Sequence, residues 1–508
     1  MNNCIHEECG VFGIWSPKKS LDPARSSYFA LYALQHRGQE SCGIVVNKDG
    51  LFYSHKDLGL VSEVFSEPVL ESMPVGTMAV AHVRYGTTGA TNRANIQPIE
   101  VNHQKGRMAL AHNGNLSNAY QLRSELEMQG AIFHTTSDTE TIAYYITRER
   151  IKSASIEEAV EKAMKYLEGA YSLVIMSAQK LICARDPFGF RPLCYGRTAD
   201  GTYIVASESC ALRAVGAKLI RDINPGEIMM FYNGQVKSIQ TGLKEASPRG
   251  ENIATQSVAV PLWRRAVSQR LTDEVSLNND GKKICVFEYI YFARPDSIID
   301  GVSVHASRVR AGEILAEEHP ANADIVIGAP DSGLDAALGF SLKSGIPYRM
   351  GFIKNKYIGR TFISPTKKTR VDGVKIKLAV LDEVVRDKSV VLVDDSIVRG
   401  TTMGRVVKLL RDAGAKEVHV RISSPPFLHP CYYGTDIDSE KNLVACHHTI
   451  PEICDIIGAD SLGYFPTERL GELTGKKGYC DACFTGAYPT SLPDDSGKDR
   501  FEQPLKGC

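Results

Sequence analysis

Short apolar runs alternate with turn-forming residues through the first half of the chain, from about residue 9 to residue 240. Runs of this length with turn signals at both ends are typical of strands, and a few helical stretches lie between them. The pattern predicts layered sheets with helices on the outside, an α+β architecture. The clearest predicted strands are Val11–Ile14, Met78–Val83, Met108–Ala111 and Ser172–Met176.

A different rhythm marks the second half, from about residue 285 to residue 470, where apolar strands alternate with helical segments. This alternation predicts βαβ units and a largely parallel sheet, the α/β class. The predicted strands are Asp324–Gly328, Ile346–Tyr348, Ser389–Val393 and Glu417–Val420, and the predicted helices include Leu334–Lys343 and Met403–Asp412.

Two segments lack this regular patterning. Residues 241–284 are rich in Ser, Asn, Gly and charge, and residues 487–508 carry Pro, Gly and Asp. We interpret the first as a linker or insertion with one amphipathic candidate at Leu262–Val275, and the second as a loosely ordered tail. The expected domains are therefore residues 9–240 and residues 285–486.

Composition narrows the classes of function. Lys plus Arg equals Asp plus Glu at 59 each, and a chain without net charge disfavours a nucleic-acid binder with a broad basic face. No apolar run approaches the ~18 residues of a membrane span, and the chain begins with neither the basic nor the apolar part of a secretory signal. We therefore expect a cytoplasmic protein with no nucleic-acid and no membrane partner.

The thirteen cysteines, scattered from Cys4 to Cys508, favour reduced thiols, metal ligands or catalysis over a disulfide framework. Cys9 directly precedes the first predicted strand, and further polar runs beside Gly follow apolar stretches, where strand-end loops assemble sites. A thiol nucleophile needs a base, anion-stabilising donors and a substrate clamp. If residues 1–8 are a leader that is removed, the α-amino group of Cys9, with a reference pKa of about 7.7–8.0, can serve as the base. The polar runs are Leu34–Glu40, His82–Thr87, Ala111–Leu116 and Thr136–Glu140.

These runs, in this order, resemble the glutamine amidotransferase domain of the N-terminal-nucleophile class, which has an αββα fold. The resemblance implies that Cys9 attacks the glutamine amide, and that Asn113 and Gly114 form the oxyanion hole. These roles are physically sound. An Arg guanidinium can donate two hydrogen bonds to one carboxylate, and an Asn amide beside a Gly N–H can direct two donors at one oxygen. The implied glutamine-binding residues are Arg84 for the α-carboxylate, Asp138 for the ammonium and Arg37 in support.

A second signal lies at residues 390–402, where an apolar strand leads into Asp394 and Asp395, and a loop of small residues opens a helix. Adjacent carboxylates at the C-terminal end of a parallel strand lie where open α/β sheets bind ligands. They can accept hydrogen bonds from two vicinal ribose hydroxyls or help to hold a hydrated Mg²⁺. The residues that offer N–H and hydroxyl groups to a phosphate are Ser396, Gly400, Thr401 and Thr402.

This second run resembles the phosphoribosyl pyrophosphate motif of type I phosphoribosyltransferases. The resemblance implies a loop that grips the pyrophosphate at Gly328–Gly333 and a mobile loop that closes over the substrate at Lys354–Phe362. The implied contacts are Asp331, Ser332, Lys354, Lys356 and Arg360, with Ser332 joining Asp394 and Asp395 at the Mg²⁺.

Both halves in one chain resemble the glutamine phosphoribosylpyrophosphate amidotransferase (amidophosphoribosyltransferase) family over about residues 9–486. The resemblance implies that ammonia from glutamine attacks phosphoribosyl pyrophosphate, giving 5-phosphoribosylamine, glutamate and pyrophosphate in de novo purine synthesis. It also implies a homotetramer inhibited by purine nucleotides. A nucleotide-sensing regulator without transferase activity is the alternative from another class. The intact Cys9, Asp138, Asp394 and Asp395 argue against that alternative.

Four further cysteines match the positions that bind a [4Fe–4S] cluster in the iron–sulfur subgroup of this family. They are Cys285, Cys431 and the CxxC pair Cys480 and Cys483. Zinc in a Cys₄ site is the alternative. The remaining cysteines are expected to be small buried hydrophobes or idle thiols: Cys4, Cys42, Cys183, Cys194, Cys210, Cys446, Cys454 and Cys508.

Overall fold

The computed structural model describes residues 9–17, 22–85, 92–243, 282–355, 378–437, 439–475 and 478–492. The predicted leader, the Leu262–Val275 segment and the loop residues Lys356 and Arg360 lie outside the described residues, as do Cys4 and Cys508. Within the described ranges, no helix combines the length and the apolar character that crossing a membrane requires.

Two antiparallel sheets form the first half of the chain. Strand Gly10–Trp15 is buried along its whole length, because strands pair with it on both edges. The seven-stranded sheet runs in the spatial order Lys218–Asp222, Cys194–Arg197, Tyr203–Ala206, Gly10–Trp15, Met78–Arg84, Ser41–Lys48 and Leu51–Leu58. The six-stranded sheet runs in the order Gln235–Gln240, Glu227–Tyr232, Leu181–Arg185, Gly169–Ser177, Gly106–Leu116 and Ile99–His103.

The two sheets pack face to face, and helices cover their outer faces. Successive side chains of a strand point to opposite faces, so Val11 packs between the sheets with Val174, whereas Phe12 packs under the outer helices with Leu31. This arrangement confirms the layered sheets that the pattern predicts and the αββα fold that the resemblance implies. The helices of this half are Pro23–Ala33, Val61–Val64, Glu67–Ser72, Ala119–Met128, Asp138–Lys152, Ile156–Ala163 and Ser209–Ala214, with a 3-10 turn at Arg93–Asn95.

A four-stranded parallel sheet forms the centre of the second half and confirms the predicted α/β class. Its spatial order is Ile325–Gly328, Ser389–Asp394, Glu417–Ile422 and Ser461–Tyr464. Short two-stranded pairs join Ile284–Cys285 to Tyr479–Cys480, Ile298–Ile299 to Val302–Ser303, and Phe352–Lys354 to Leu378–Val380. The helical segments are Glu288–Phe292 (a π-helix), Val304–Glu318, Leu334–Ser344, Asp382–Val385, Thr401–Asp412, Val444–His447, Ile450–Ile457, Leu470–Thr474 and Ala482–Thr485, with 3-10 turns at Glu440–Asn442 and Thr467–Arg469.

One predicted strand is wrong. Residues 346–348 make a single isolated bridge, between Tyr348 and Val326. The proline in the middle of this segment, Pro347, has no N–H to donate, so it only accepts a hydrogen bond, from the N–H of Val326 at 2.9 Å. The edge of the parallel sheet is therefore shorter than the apolar pattern indicates.

The two halves share one buried core. Phe190 of the first half stacks on Tyr433 of the second, with ring centroids 4.2 Å apart. The chain beyond residue 486, predicted to be loosely ordered, packs onto this core as far as Thr490. The hydroxyl of Tyr488 donates to the carbonyl of Pro430 at 2.6 Å, and the N–H of Thr490 donates to the hydroxyl of Tyr433 at 3.1 Å.

Candidate active sites

Cys9 lies directly before the central strand Gly10–Trp15 and is buried, with 8% of its surface exposed. The strand register places Gly10 opposite Val83, and this pairing brings Cys9 beside the end of the strand Met78–Arg84. The thiol donates to the carbonyl of Tyr85 at 3.5 Å. The predicted nucleophile therefore lies at the ends of two central strands, next to the predicted carboxylate clamp.

Arg84 is the last residue of its strand, and its side chain is almost fully buried. Its guanidinium Nη1 lies 3.6 Å from Oε2 of Glu40. The strand thus holds a positive charge at the same end of the sheet as Cys9, and a guanidinium there is suited to the predicted binding of an α-carboxylate.

Asn113 and Gly114 lie within strand Gly106–Leu116 rather than in the strand-end loop that the polar run predicted. Gly114 has φ +138°, and a Cβ there would lie 2.2 Å from the carbonyl oxygen of Ala170. The site therefore requires glycine at this position. Both polar atoms of the buried Asn113 amide lack a hydrogen-bond partner among the described residues. Such an amide can receive a substrate oxyanion without first breaking an internal contact.

Asp138 begins the helix Asp138–Lys152, and Ser137 caps that helix by accepting from the N–H of Thr139. The N–H of Leu116 donates to one carboxylate oxygen of Asp138 at 3.0 Å, and Nδ1 of His112 lies 3.5 Å from the other. Burial alone would raise the pKa of Asp138, but His112 and these N–H groups outweigh it and hold the pKa below its ordinary value. A buried carboxylate that stays charged suits a substrate ammonium.

No role was predicted for His112, although it lies in the polar run Ala111–Leu116. Its backbone N–H donates to the side-chain oxygen of Gln97 at 2.7 Å, and its Nδ1 lies 3.2 Å from the hydroxyl of Thr139. These contacts fix the imidazole beside Asp138. In the sequence, only its place directly before Asn113 indicated that His112 belongs to the site.

Arg37 lies behind Cys9 and is 1% exposed. Its Nε donates to the carbonyl of Cys9 at 3.1 Å. Its other nitrogens donate to two buried carboxylates, Glu208 at 2.7 Å and Glu288 at 2.7 and 2.9 Å. The resemblance implied a supporting role for Arg37, but no role was predicted for Glu208 or Glu288.

The acidic pair of the second half lies where the sequence predicted it, at the C-terminal end of strand Ser389–Asp394. Ser332 donates to Oδ1 of Asp394 at 3.3 Å, and the N–H of Asp395 donates to the same oxygen at 2.9 Å. Burial first, and the neighbouring Asp395 second, raise the pKa of Asp394 well above its ordinary value. The hydroxyl of Ser396 donates to Asp395. The structure therefore brings Ser332, Asp394 and Asp395 together.

The loop after the pair leads into helix Thr401–Asp412 through Gly400, which has φ +79° and occupies the N-cap position. The N-terminus of this helix, with Thr401 and Thr402 in its first turn, lies at the same sheet end as the acids. Lys354 forms an ion pair with Asp331. Of the residues implied for the mobile loop, Lys356 and Arg360 lie outside the described part of the chain.

The four cysteines predicted to bind a cluster line one cavity. Cys285 lies opposite Cys480 in the parallel pair of short strands, and the N–H of Tyr433 donates to Sγ of Cys431 at 3.4 Å. Burial raises the pKa of the Cys480 thiol well above its ordinary value, and the neighbouring thiol of Cys285 raises it further. The cavity is lined by Phe190, Cys285, Cys431, Tyr433, Thr435, Cys480, Ala482, Cys483 and Tyr488.

The other described cysteines lie away from this cavity. Cys42, Cys183, Cys194 and Cys210 are buried, and Cys446 and Cys454 are half-buried. Burial raises the pKa of the Cys42 thiol to about 12, so this thiol is inert at neutral pH. Among the described residues, no three His, Cys, Asp or Glu side chains are grouped closely enough to hold a single metal ion.

Two family models match the chain. A glutamine amidotransferase domain matches residues 82–214, and a phosphoribosyl transferase domain matches residues 306–452. Both matches lie inside the expected domains, whose exact boundaries stay predictions.

Curated relatives match over nearly the whole chain. The amidophosphoribosyltransferase of Methanocaldococcus jannaschii is 46% identical over 486 residues, which cover 95% of this chain and 98% of the relative. That of Bacillus subtilis is 43% identical over 499 residues, covering 97% of this chain and 96% of the relative.

Two solved structures are similar over comparable lengths. One is the glutamine phosphoribosylpyrophosphate amidotransferase of B. subtilis complexed with ADP and GMP, with a TM-score of 0.82, 42% identity and coverage of 97% of this chain and 100% of that one. The other is described as the allosteric regulatory enzyme of purine biosynthesis, with a TM-score of 0.83, 42% identity and coverage of 98% and 100%.

Proposed function

The chain belongs to the amidophosphoribosyltransferase family and is a glutamine-dependent amidophosphoribosyltransferase of purine biosynthesis, and from this premise we propose how its residues divide the reaction. Cys9 releases ammonia from glutamine in the first half, and the Asp394–Asp395 pair holds the ribose that accepts the ammonia in the second. The observation that carries this relay is the common core of the halves, in which Phe190 stacks on Tyr433. The two reactions thus take place in one packed body.

In the glutaminase half, the thiolate of Cys9 attacks the amide carbon of glutamine. The C–N bond breaks, ammonia leaves with the proton taken from the thiol, and a γ-glutamyl thioester remains until water releases glutamate. The free amide of Asn113 and the N–H of Gly114 stabilise each tetrahedral oxyanion. Arg84 and Asp138 bind the two charged groups of the substrate amino acid.

The base for this step is the α-amino group of Cys9, after residues 1–8 have been removed. An acylated nitrogen is an amide without useful basicity, whereas a free α-amine has a pKa of about 7.7–8.0. Arg37 contacts Cys9 at its backbone carbonyl, so this contact occupies neither the thiol nor the α-amino group.

The ammonia then reaches the second half through an apolar path, because in bulk water at neutral pH it would be protonated and lose its nucleophilicity. There it attacks C1 of the ribose and displaces pyrophosphate. The carboxylates of Asp394 and Asp395 accept hydrogen bonds from the ribose hydroxyls, and the helix N-terminus after Gly400 receives the phosphate.

The residues present at this sheet end fit a divalent cation. Two adjacent acids with a serine hydroxyl at 3.3 Å from one of them are hard oxygen ligands. Burial first, and the neighbouring Asp395 second, raise the pKa of Asp394, and a bound cation would offset both effects. Ser332, Asp394 and Asp395 would therefore hold Mg²⁺, which when bound neutralises charge on the departing pyrophosphate.

We propose that the cysteine cavity holds a [4Fe–4S] cluster and that the chain therefore belongs to the iron–sulfur subgroup of its family. Four thiols converge on one cavity with aromatic walls, and each would bind a separate iron. Zinc in a Cys₄ site, where one ion takes all four sulfurs, is the alternative that metal analysis distinguishes. The cluster would join Cys285 and Cys431 to the C-terminal pair Cys480 and Cys483, and so fasten the end of the chain to the core.

Regulation and assembly are part of the proposal. A similar structure carries ADP and GMP, and another is described as an allosteric enzyme of purine biosynthesis, which supports inhibition of this chain by purine nucleotides. We place the enzyme in a homotetramer on the family resemblance.

The experiment that tests the proposed relay incubates the purified full chain with glutamine, phosphoribosyl pyrophosphate and Mg²⁺. The relay requires glutamate and pyrophosphate to appear together in equal amounts. A nucleotide-sensing regulator would bind its ligand and release neither product.

A further inference from the structure

Arg37 connects the backbone of Cys9 with a carboxylate from each half of the chain. Its Nε donates to the Cys9 carbonyl, and its terminal nitrogens donate to Glu208 of the first half and to Glu288 of the second. All three charged side chains have no exposed surface. The backbone of the proposed nucleophile is therefore held by a residue whose own orientation depends on the phosphoribosyltransferase half.

Glu288 receives the guanidinium in a two-pronged contact, with Nη1 at 2.9 Å from Oε2 and Nη2 at 2.7 Å from Oε1. Such a fork fixes the plane of the guanidinium, which a single contact does not. The direction of the third donor, Nε, follows from that plane. The Nε to Cys9 contact is thus set by the two oxygens of Glu288.

Glu288 is held by the turn in which it lies and by a second arginine. It begins the π-helix Glu288–Phe292, a helix type that is rare and often found at functional sites. Arg308, which is buried, donates to the carbonyls of Tyr289, Tyr291 and Ala293 and so holds this turn. On the other side, Nη1 of Arg191 lies 3.5 Å from Oε1 of Glu288.

Two arginines, Arg37 and Arg191, face two carboxylates, Glu208 and Glu288, and none of the four side chains has exposed surface. His36, which is partly exposed, contacts Glu208 as well, at 2.8 Å. A buried guanidinium that loses one carboxylate turns towards the remaining one, since an unpaired buried charge is costly. Without the Glu288 charge, Arg37 would move towards Glu208 and release the Cys9 carbonyl.

We propose that Glu288 is a positioning residue for the glutaminase reaction: through Arg37 it fixes the backbone of Cys9, so that the second half of the chain sets the orientation of the nucleophile in the first. The proposal rests on the proposed role of Cys9. It gives the second half a part in glutamine hydrolysis that is separate from binding phosphoribosyl pyrophosphate.

The test compares Glu288→Gln with Asp300→Asn in the full chain. Asp300 is a matched control, because it forms a buried ion pair with Arg185 at 3.2 Å that also joins the two halves but lies outside the Cys9 contacts. Three quantities are measured: kcat and KM for glutamine hydrolysis, ammonia-dependent pyrophosphate release, and the rate at which iodoacetamide alkylates Cys9, followed by mass spectrometry of its peptide.

For Glu288→Gln we expect kcat for glutamine hydrolysis to fall by about tenfold or more, because a small displacement of a nucleophile strongly lowers the reaction rate. The alkylation rate of Cys9 should change as well, while KM for glutamine and ammonia-dependent release stay within about twofold of wild type. Asp300→Asn should leave kcat within about twofold. Equal losses in both variants, or an unchanged kcat in Glu288→Gln, would overturn the proposal.

If Glu288→Gln does not fold, Arg37→Lys decides the question. Lysine keeps the buried positive charge, but a single ammonium cannot serve the two oxygens of Glu288 and the Cys9 carbonyl with the geometry of the fork. The same loss of kcat with intact ammonia-dependent release supports the proposal, and a normal kcat contradicts it. Failure of the proposed function looks different, because the wild-type chain itself would then not hydrolyse glutamine.

Discussion

Nδ1 of His112 lies 3.5 Å from Oδ1 of Asp138, and both side chains are buried. Burial alone would raise the pKa of Asp138, but the histidine and the N–H of Leu116 outweigh this effect and hold the pKa below its ordinary value. The contact thus prepares a fixed negative charge for a substrate ammonium. It also predicts how glutamine binding responds to pH.

Asp138→Asn should raise KM for glutamine by about ten- to a hundredfold, because a charge-assisted hydrogen bond is worth about 1.5–3 kcal/mol. The pKa of Asp138 is lowered, so the carboxylate is present above its ordinary pKa of 3.8 and is lost only as the pH falls further. KM in the wild type should therefore stay flat from neutral pH down to about pH 5. Steady-state glutaminase assays across this range check it. A KM in the variant equal to that of wild type would remove Asp138 from the ammonium site.

Asp395→Asn should cripple transfer and leave glutaminase activity in place, because the change affects ribose and metal binding in the second half only. We expect kcat/KM for phosphoribosyl pyrophosphate to fall by about tenfold or more. Asp412→Asn is the control, since Asp412 is an exposed acid at the far end of the following helix, paired with Lys408 at 3.4 Å. Pyrophosphate release at the wild-type rate from Asp395→Asn would contradict the assignment.

Protein purified without oxygen should be brown and contain about four iron and four sulfide per chain. Cys483→Ser should lower the iron content, because it removes one of the four thiols of the cavity. Cys454→Ser should leave it unchanged, because this half-buried thiol lies outside the cavity and donates to the carbonyl of Ala459. Elemental analysis and visible absorption measure both. One zinc per chain without visible absorption would point to the Cys₄ zinc site instead.

Loss of the cluster should also loosen the C-terminal segment, which Cys480 and Cys483 tie to the core. Limited proteolysis before and after oxidation measures this. We expect new cleavage after oxidation near residues 478–492, and a segment equally resistant in both states would show that the cluster has no structural role.

The glutaminase-active form should begin at Cys9, having lost residues 1–8. Removal of Met1 alone leaves the nitrogen of Cys9 acylated and therefore without basicity. Intact-mass measurement of protein with full glutaminase activity decides the point. A fully active chain that still carries residues 2–8 would require another base.

The parts of these sites that the sequence predicts are those encoded locally. Asp394 and Asp395 follow a buried strand directly, so their place at the end of the sheet depends only on recognising that strand. Cys9 is placed by the strand that follows it in the same way. The two fold classes follow from the spacing of apolar residues, which distinguishes paired antiparallel strands from βαβ units.

The parts that the sequence does not predict depend on distant contacts or on one unusual backbone angle. Arg37 and Glu288 are 251 residues apart, and nothing in either local pattern links them. The predicted oxyanion-hole residues lie inside a strand in which Gly114 adopts φ +138°, and a hydrophobic pattern does not reveal this angle. Tyr488 and Thr490 lie in a polar stretch typical of a loose tail, yet they pack because Pro430 and Tyr433 offer them partners.

The measurement that tests the relay most directly is made on Cys9→Ala with two nitrogen sources. Pyrophosphate release is followed once with glutamine and once with ammonium salt at a pH where free ammonia is available. We expect the glutamine-dependent rate to fall to background and the ammonia-dependent rate to stay within about twofold of wild type, because the second site is untouched. A folded Cys9→Ala protein that loses both activities, or keeps the glutamine-dependent one, would contradict two separate sites joined by the transfer of ammonia.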